Sequence, residues 1–338
     1  MRITLDEAQA IATDALHRAG ASPLQATPVA ASIRAAEGEG TRGIGLGYLP
    51  WYCQHLRVGK IIGTAVPLVQ QPRPAVVTVD AGGGFAHPAY EAGEAALIVA
   101  ARSQGIAILG VANAYACGVL GYFTDRLARA GLVSLAVTNA SSTMAPWGGR
   151  EPFFGTNPFA FGAPRQGDPL VIDSSSSATA FVNLANAAAE GRPIPPHWAL
   201  DTEGRPTTDA AEGLRGSIAP AGGHKGGALA LMVEVLAAGL TGSNWSYLAS
   251  SLGDDAGGPP RLGQSFIAID PAAMAEGFVT RTQTMLSAMA AQGGVRIPGD
   301  RRHTNRQRAE LDGVALTGAE AAALADLADR PLRPVMVG

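Results

Sequence analysis

The sequence is poor in cysteine, in charge and in aromatic side chains. Cys53 and Cys117 are the only two cysteines in 338 residues. That is too few for a disulfide framework and points to a reducing, cytoplasmic setting. Charged residues make up 16% of the chain and the formal net charge is −3, with no long basic run. Nucleic-acid binding, which needs a positive footprint, is therefore not expected. No apolar run reaches the roughly 20 residues that a bilayer-spanning helix requires. The most apolar stretch, GGALALMVEVLAAGLTG, carries Glu234 and is bounded by glycines, so it reads as a buried helix and no membrane association is expected. The opening MRITLDEAQAIATDALHRAG lacks the basic region and continuous apolar core of a signal peptide. No G-x-x-x-x-G-K-[ST] run occurs, which argues against a nucleotide triphosphatase. No metal site is assigned.

Hydrophobic residues amount to 47%, enough to bury a substantial core, and 43 glycines with 23 prolines imply many tight turns. Leu5, Ala8, Ala12, Ala15 and Leu16 recur at helical spacing, and Thr4 with Glu7 reads as a capping box. Residues 1–60 read as helical, broken at Pro23 and around Gly38–Gly47. Residues 67–80 read as an extended connection into a strand. Helices then alternate with strands: helix 88–104, strand 106–112, helix 118–131, strand 132–138 and strand 168–173. A helix over 226–241, a strand at 265–270, a long helix over 272–291, a short strand at 295–298 and a helix at 317–329 complete the reading. This alternation predicts an α/β sheet with some parallel pairing. GDDAGGPP, at 253–260, reads as a surface loop.

Gly38-Glu39-Gly40-Thr41-Arg42-Gly43 matches G-x-G-x-x-G, but a helical segment precedes it where a dinucleotide fingerprint needs a strand. The match is taken as accidental. Gly222-Gly223-His224-Lys225-Gly226-Gly227 leads directly into a helix. Free N–H groups there, with Lys225, suit a phosphate or carboxylate, although a plain glycine-rich helix start reads equally well. Asp173-Ser174-Ser175-Ser176-Ser177, at a strand end, suits a polar ligand or a simple serine-rich turn.

Pro146-Trp147-Gly148-Gly149-Arg150-Glu151 and Gly155-Thr156-Asn157-Pro158-Phe159-Ala160 are more specific. At this separation they resemble the malate/L-lactate dehydrogenase family of the second, non-Rossmann type. That family includes ureidoglycolate dehydrogenases, diketogulonate reductases, sulfolactate dehydrogenases and cyclic ketimine reductases. The resemblance extends from Leu49-Pro50-Trp51-Tyr52 and Gly59-Lys60 through Gly105-Ile106-Ala107, Thr138-Asn139, Gly204-Arg205-Pro206-Thr207-Thr208 and Gly222–Gly226. It ends at Ile297-Pro298-Gly299-Asp300 and Gly313-Val314. It implies an α/β, non-Rossmann NAD(P)-binding fold with an N-terminal helical segment, usually homodimeric, holding NAD(H) or NADP(H) and a small-molecule substrate. Residues 1–78 would form the substrate-side helical segment and 79–299 the α/β cofactor-binding core. Residues 300–338 would form a helical segment packing back on the N-terminal part. Cofactor contacts would fall on Asn139, Ala140, Asp173, Ser174, Ser175, Ser176, His224, Lys225, Pro298, Gly299, Asp300 and Arg302. Arg301, Arg302 and Arg306 would either neutralise a 2′-phosphate or form a solvated face.

The sequence departs from the family at the reacting end. Ile44 and Ala116 stand where the family carries histidines, and Tyr48 where it carries an arginine, while Tyr52 is kept. Isoleucine and alanine cannot move a proton, and a missing acid–base group costs about 10²–10⁴-fold in rate. Tyrosine cannot clamp a carboxylate by charge. Three readings remain open. The substrate is a cyclic imine, which accepts hydride once protonated. Alternatively, Tyr52, Tyr48, Tyr115, Cys117 or His87 has taken over proton transfer, with Arg42 as a substitute cation. Or the chain is a non-catalytic cofactor- or ligand-binding paralogue. His55 lies near the substrate segment without a counterpart in the family pattern.

Overall fold

The computed structural model describes residues 1–335. The chain begins with β1 (Arg2–Ile3), α1 (Leu5–Arg18), α2 (Pro23–Glu39) and α3 (Leu49–Arg57). Two short 3₁₀ turns, Arg42–Ile44 and Leu46–Tyr48, separate α2 from α3. Thr4 caps α1 by accepting from the Glu7 N–H. The other half of the expected capping box does not form. The Glu7 carboxylate instead accepts from Arg330, at 2.6 Å, and from the Arg333 N–H, at 2.8 Å. A buried tertiary ion pair outcompetes the local bond.

The central portion contains β2 (Leu68–Arg73), β3 (Val76–Asp80), α4 (Ala86–Gln104), β4 (Ile106–Ala114), α5 (Gly121–Arg129), β5 (Val133–Thr138), β6 (Phe159–Ala163) and β7 (Leu170–Ser174). Residues 67–80 are thus a hairpin rather than an extended connection. Pro74 and Ala75 form the turn, and β2 tolerates Pro72 because it is an exposed edge strand. An excursion follows: α6 (Phe181–Ala189), β8 (Ala199–Leu200), β9 (Pro206–Thr207), α7 (Ala210–Arg215) and β10 (Ser217–Ile218), with a small core of its own around Met144, Leu184 and Ala199.

The chain returns through α8 (His224–Glu234), a π-helical turn at Val235–Gly239, and β11 (Leu262–Ile269). It then forms α9 (Phe278–Ala290), α10 (Asp300–Asp312), β12 (Val314–Ala315) and α11 (Gly318–Ala328). The long helix expected over 272–291 is broken, because Gly277 is left-handed, at φ +69°, between a 3₁₀ turn and α9. Residues 295–298 form no strand. Ile297 is buried beside Leu170 and Leu286, but the segment pairs with nothing and turns into α10.

The main sheet has seven strands in the order β2-β3-β4-β11-β5-β6-β7. Only β3 and β4 are parallel; every other neighbour is antiparallel. This is a non-Rossmann α/β sheet, with far less parallel pairing than the alternating pattern suggested. β11 inserts between β4 and β5. Helices α4 and α5 cover one face through Tyr90, Leu97, Phe123 and Leu127, while Val233 and Ala237 cover Val137 on the other. The N-terminal helices form a separate apolar cluster, which Ala309, Val314, Leu316, Leu324 and Ala328 complete from the C-terminal segment. Residues 336–338 of that segment lie outside the described residues.

Candidate functional site

The tempting Gly38–Gly43 motif is the end of a helix. Gly40 closes α2 at φ +78°, and no strand feeds it. Just before it, Glu37 of α2 shapes the loop that carries Ile44. Its buried carboxylate accepts from the Leu46 N–H at 2.8 Å and from Arg42 at 3.2 Å. Desolvation raises the Glu37 pKa, and those two partners oppose the shift. The Arg42 guanidinium is thereby tied to Glu37 and, at 3.2 Å, to Glu320. It is not free to serve as a substitute carboxylate clamp.

Three elements meet beside Ile44. Tyr52 comes from α3, His87 from the first turn of α4, and Gly118 from the loop after β4. Gly118 is left-handed, at φ +64°. A Cβ on Gly118 would lie 3.4 Å from Tyr52 Oη, 3.7 Å from His87 Nε2 and 3.7 Å from Ile44 Cγ2. Two polar groups and one apolar wall therefore converge on a single niche. Tyr52 and His87 are both buried. Desolvation drives the Tyr52 pKa far above the ordinary phenol value. Neither His87 nitrogen has a hydrogen-bond partner among the described residues. Burial lowers its pKa to about 3, opposed by the nearby Cys117 backbone, which approaches the ring without hydrogen-bond geometry. Both groups are thus neutral near pH 7. They can orient a polar ligand through uncharged hydrogen bonds. Cys117 is buried and its thiol is pushed up to about 12 by desolvation. It packs as a small apolar residue, which argues against a nucleophilic or acid–base role.

Tyr48 ends the second 3₁₀ turn, half-buried, with its ring edge-on to Tyr52 at 4.9 Å. Behind it lies a cluster that the sequence pattern did not reveal. The Tyr115 hydroxyl lies 2.6 Å from His55 Nδ1, and His55 Nε2 lies 3.1 Å from the Asp254 carbonyl. Lys60 is fully buried and donates to the carbonyls of Ser251, at 2.5 Å, and Asp254, at 2.6 Å. Gln54 donates to Asp255 at 2.8 Å. The surface loop expected over 253–260 is thus latched onto α3, and Leu252 joins Tyr48 and Ala116 against the N-terminal core. His55 and Lys60 became assignable only through loop closure, about 190–200 positions along the chain.

Three of the four segments expected to hold the cofactor, around Asp173–Ser176, His224–Lys225 and Arg302, adjoin one another. Asp173, the penultimate residue of β7, accepts from the Gly121 N–H, at 3.0 Å, and from Arg302, at 3.2 Å. It therefore abuts the loop that carries Cys117 and Gly118. The Ser176 N–H donates to the Thr156 carbonyl, and the Ala221 N–H to the Ser176 carbonyl, which sets the serine run beside the start of α8. Gly222 and Gly223, at φ +62° and +67°, open that helix, with no atom within 4 Å of a Gly222 Cβ. Among the described residues, no bond is formed by the N–H groups of His224, Lys225 and Gly226. His224 and Lys225 are exposed. A positively polarised helix start of this kind, with the Trp147 ring against Gly223, fits an anionic group such as a cofactor phosphate.

Several expected contact residues are committed elsewhere. The Asn139 amide donates to the Asn244 carbonyl and accepts from the Gly263 N–H, both at 2.9 Å, leaving Ala140 as the more open neighbour. Ser176 donates to the Asn157 carbonyl at 2.7 Å, while Ser175 bonds the Ser177 hydroxyl and the Thr156 carbonyl. Of the four hydroxyls, only that of Ser174 belongs to an exposed residue. Asp300 pairs with Arg165 at 2.5 Å. Pro298 is exposed, and Gly299 packs on the Val171 backbone, short of the strand end. Arg302 bridges Glu39 and Asp173, and Arg306 pairs with Glu39 at 2.5 Å and Asp125 at 3.6 Å. Arg301 alone of the three arginines is exposed.

The family model described as malate/L-lactate dehydrogenase matches residues 3–325. The chain is 44% identical to (2R)-3-sulfolactate dehydrogenase (NADP(+)) of Chromohalobacter salexigens, over 91% of this chain and 93% of that protein. It is 38% identical to a Δ1-pyrroline-2-carboxylate/Δ1-piperideine-2-carboxylate reductase of Pseudomonas putida, over 97% of each. Among solved structures, Δ1-piperideine-2-carboxylate reductase from Pseudomonas syringae pv. tomato superposes with a TM-score of 0.92 at 36% identity. That match covers 97% of this chain and 99% of the other.

Proposed function

The chain belongs to the malate/L-lactate dehydrogenase family and is an NAD(P)-dependent oxidoreductase; from that premise we propose that it reduces a cyclic ketimine carboxylate. One observation carries this reading. The niche above Gly118 is walled by Ile44 and by two groups, Tyr52 and His87, that stay neutral near pH 7. A ketone reduced there would become a strongly basic alkoxide, and burial leaves the Tyr52 hydroxyl a weaker acid for it than a histidine imidazolium would be. A protonated imine already carries its proton and accepts hydride directly. The nicotinamide cofactor supplies that hydride when bound. Tyr52 donates a hydrogen bond, and His87 offers one donor and one acceptor, to hold the substrate's polar edge. Leu252, Ala116 and Ile44 keep water from the reacting carbon. The α8 start, with Lys225, holds a cofactor phosphate, and the Asp173 carboxylate fixes the Gly121 end of the substrate loop beside it.

The 44% match to a sulfolactate dehydrogenase supports a second reading, a 2-hydroxy acid oxidised at the same niche. Incubation with NADH and NADPH, followed by cofactor fluorescence and turnover on a panel of cyclic ketimines and 2-oxo acids, separates the two. The expected outcome is NADPH binding with ketimine turnover well above that of 2-oxo acids. Binding with no turnover across the panel would instead support a non-catalytic paralogue. Lys225→Ala should weaken cofactor binding, and unchanged affinity would refute the phosphate placement. The reading extends to a cytoplasmic homodimer. Its support is two free, buried cysteines and an apolar strip of Leu231, Met232 and Val235, each 46–54% exposed along α8 and the turn after it.

A further inference from the structure

Tyr48 stands where the family carries the arginine that grips a substrate carboxylate, and the cations around the cleft are committed elsewhere. Arg42 pairs with Glu37 and Glu320, Arg302 with Glu39 and Asp173, and Arg126 with Glu91 and Glu94. Lys60 donates to the Ser251 and Asp254 carbonyls. The start of α5 is taken as well, because the Gly121 N–H donates to the Asp173 carboxylate.

The start of α4 is not. Its N-cap residue, Phe85, provides no side-chain cap, and the Phe85 N–H is used by Gln25 Oε1 at 2.8 Å. Pro88 has no N–H to offer. The N–H groups of Ala86 and His87, residues each 1% exposed, form no bond among the described residues. Buried backbone donors without a partner are rare in folded proteins. The positive end of the helix macrodipole adds to their pull on an anion.

An observation independent of the helix points to a ligand at the same place. The Tyr115 N–H donates to the Gly84 carbonyl at 2.8 Å, which ties the loop after β4 to the residues leading into α4. That loop sets Gly118 beside the His87 ring, whose two nitrogens are buried and unpartnered among the described residues. A Cβ on Gly118 would stand 3.7 Å from His87 Nε2 and 3.4 Å from Tyr52 Oη. Glycine therefore leaves open the room a methyl would fill, beside a ring nitrogen and a hydroxyl that can both donate.

We propose that the free start of α4, with His87 and Tyr52 around the Gly118 cradle, is the carboxylate subsite of the cleft and stands in for the absent arginine. This rests on reading the cleft as the substrate site, but not on a ketimine in particular. The Ala86 and His87 backbone donors, the Nε2–H tautomer of the His87 ring and the Tyr52 hydroxyl are all uncharged. They hold an anion without setting a cation beside it. For a protonated imine that matters, because an arginine at the carboxylate would also repel the charge on the imine nitrogen.

Furan-2-carboxylate is a flat ring that carries the carboxylate but no reducible imine, and furan-2-carboxamide is its uncharged counterpart. Both are titrated by calorimetry into the full-length protein saturated with NADP+. The carboxylate should bind about tenfold more tightly than the carboxamide. His87→Leu and Gly118→Ala should each weaken the carboxylate about tenfold, the scale of one lost hydrogen bond to a charged group, and leave NADP+ affinity unchanged. Nitrogen-15 NMR should show the His87 ring resonances move on adding the carboxylate, a response that a ring serving only as packing would not give. If Gly118→Ala, left-handed at φ +64°, does not fold, His87→Leu decides. Equal affinity for the two probes, no binding of the carboxylate, or wild-type carboxylate affinity in His87→Leu would overturn the subsite. Ketimine turnover is measured separately. Carboxylate binding without turnover would count only against the ketimine reading, and turnover with equal probe affinities only against the subsite.

Discussion

A single buried imidazole carries two opposed demands. His87 is fully enclosed with both nitrogens unpaired among the described residues, an arrangement that costs about 1–3 kcal/mol per unmet polar group. Folding also depresses its pKa from 6.5 to about 3. Because the unfolded chain binds the proton more tightly, stability is complete above about pH 6.5 and is lost as pH falls toward 3. The full loss is on the order of 4–5 kcal/mol. His87→Leu should therefore keep or raise Tm at pH 7 and flatten the decline of Tm between pH 6 and 4. If the ring orients substrate, the same variant should lose about a hundredfold in turnover, the scale of a misplaced reactant. A variant that gains stability and keeps full activity would return His87 to the core as packing alone.

At the scale of elements, the sheet is held close to its helices by glycines placed where a side chain would collide. In β6, a Cβ on Gly162 would stand 2.3 Å from the Thr124 carbonyl oxygen and 2.8 Å from Ser134 Oγ. Helix α5 rests directly on the strand there. Gly162→Ala should force them apart and cost about 1–3 kcal/mol, as overpacking does. Chemical denaturation would show it as a lower midpoint at constant slope, and an unchanged midpoint would mean α5 adjusts freely. The displacement would also reach the site, since the same helix begins at Gly121 on the Asp173 carboxylate. Helix α10 makes the complementary connection. Arg302 joins Glu39 at the end of α2 to Asp173 at the end of β7, so the two halves of the site share one ion-pair network.

At the scale of the molecule, the two ends of the chain build one module. β1 pairs with β12, and α11 packs on α1. The proposed homodimer makes a claim at this scale. Charge placed on the α8 strip, as in Leu231→Glu with Val235→Glu, should convert a dimeric sedimentation profile to a monomeric one. A wild-type monomer at micromolar concentration would reject it. The sequence by itself determined the family, most helices and five of the seven main-sheet strands, because those rest on local periodicity and on ordered short motifs. It also identified the departure at Ile44, Tyr48 and Ala116, since a missing side chain is visible in one dimension. Only the tertiary structure decided that residues 67–80 turn back as a hairpin, that the sheet is mainly antiparallel, and that Arg42, Arg302 and the Asn139 side chain are tied up in internal bonds. It also set His55 and Lys60 against a loop about 190–200 positions away. Strand order and ion-pair choice depend on which distant segments close on each other, and residue spacing carries no record of that competition.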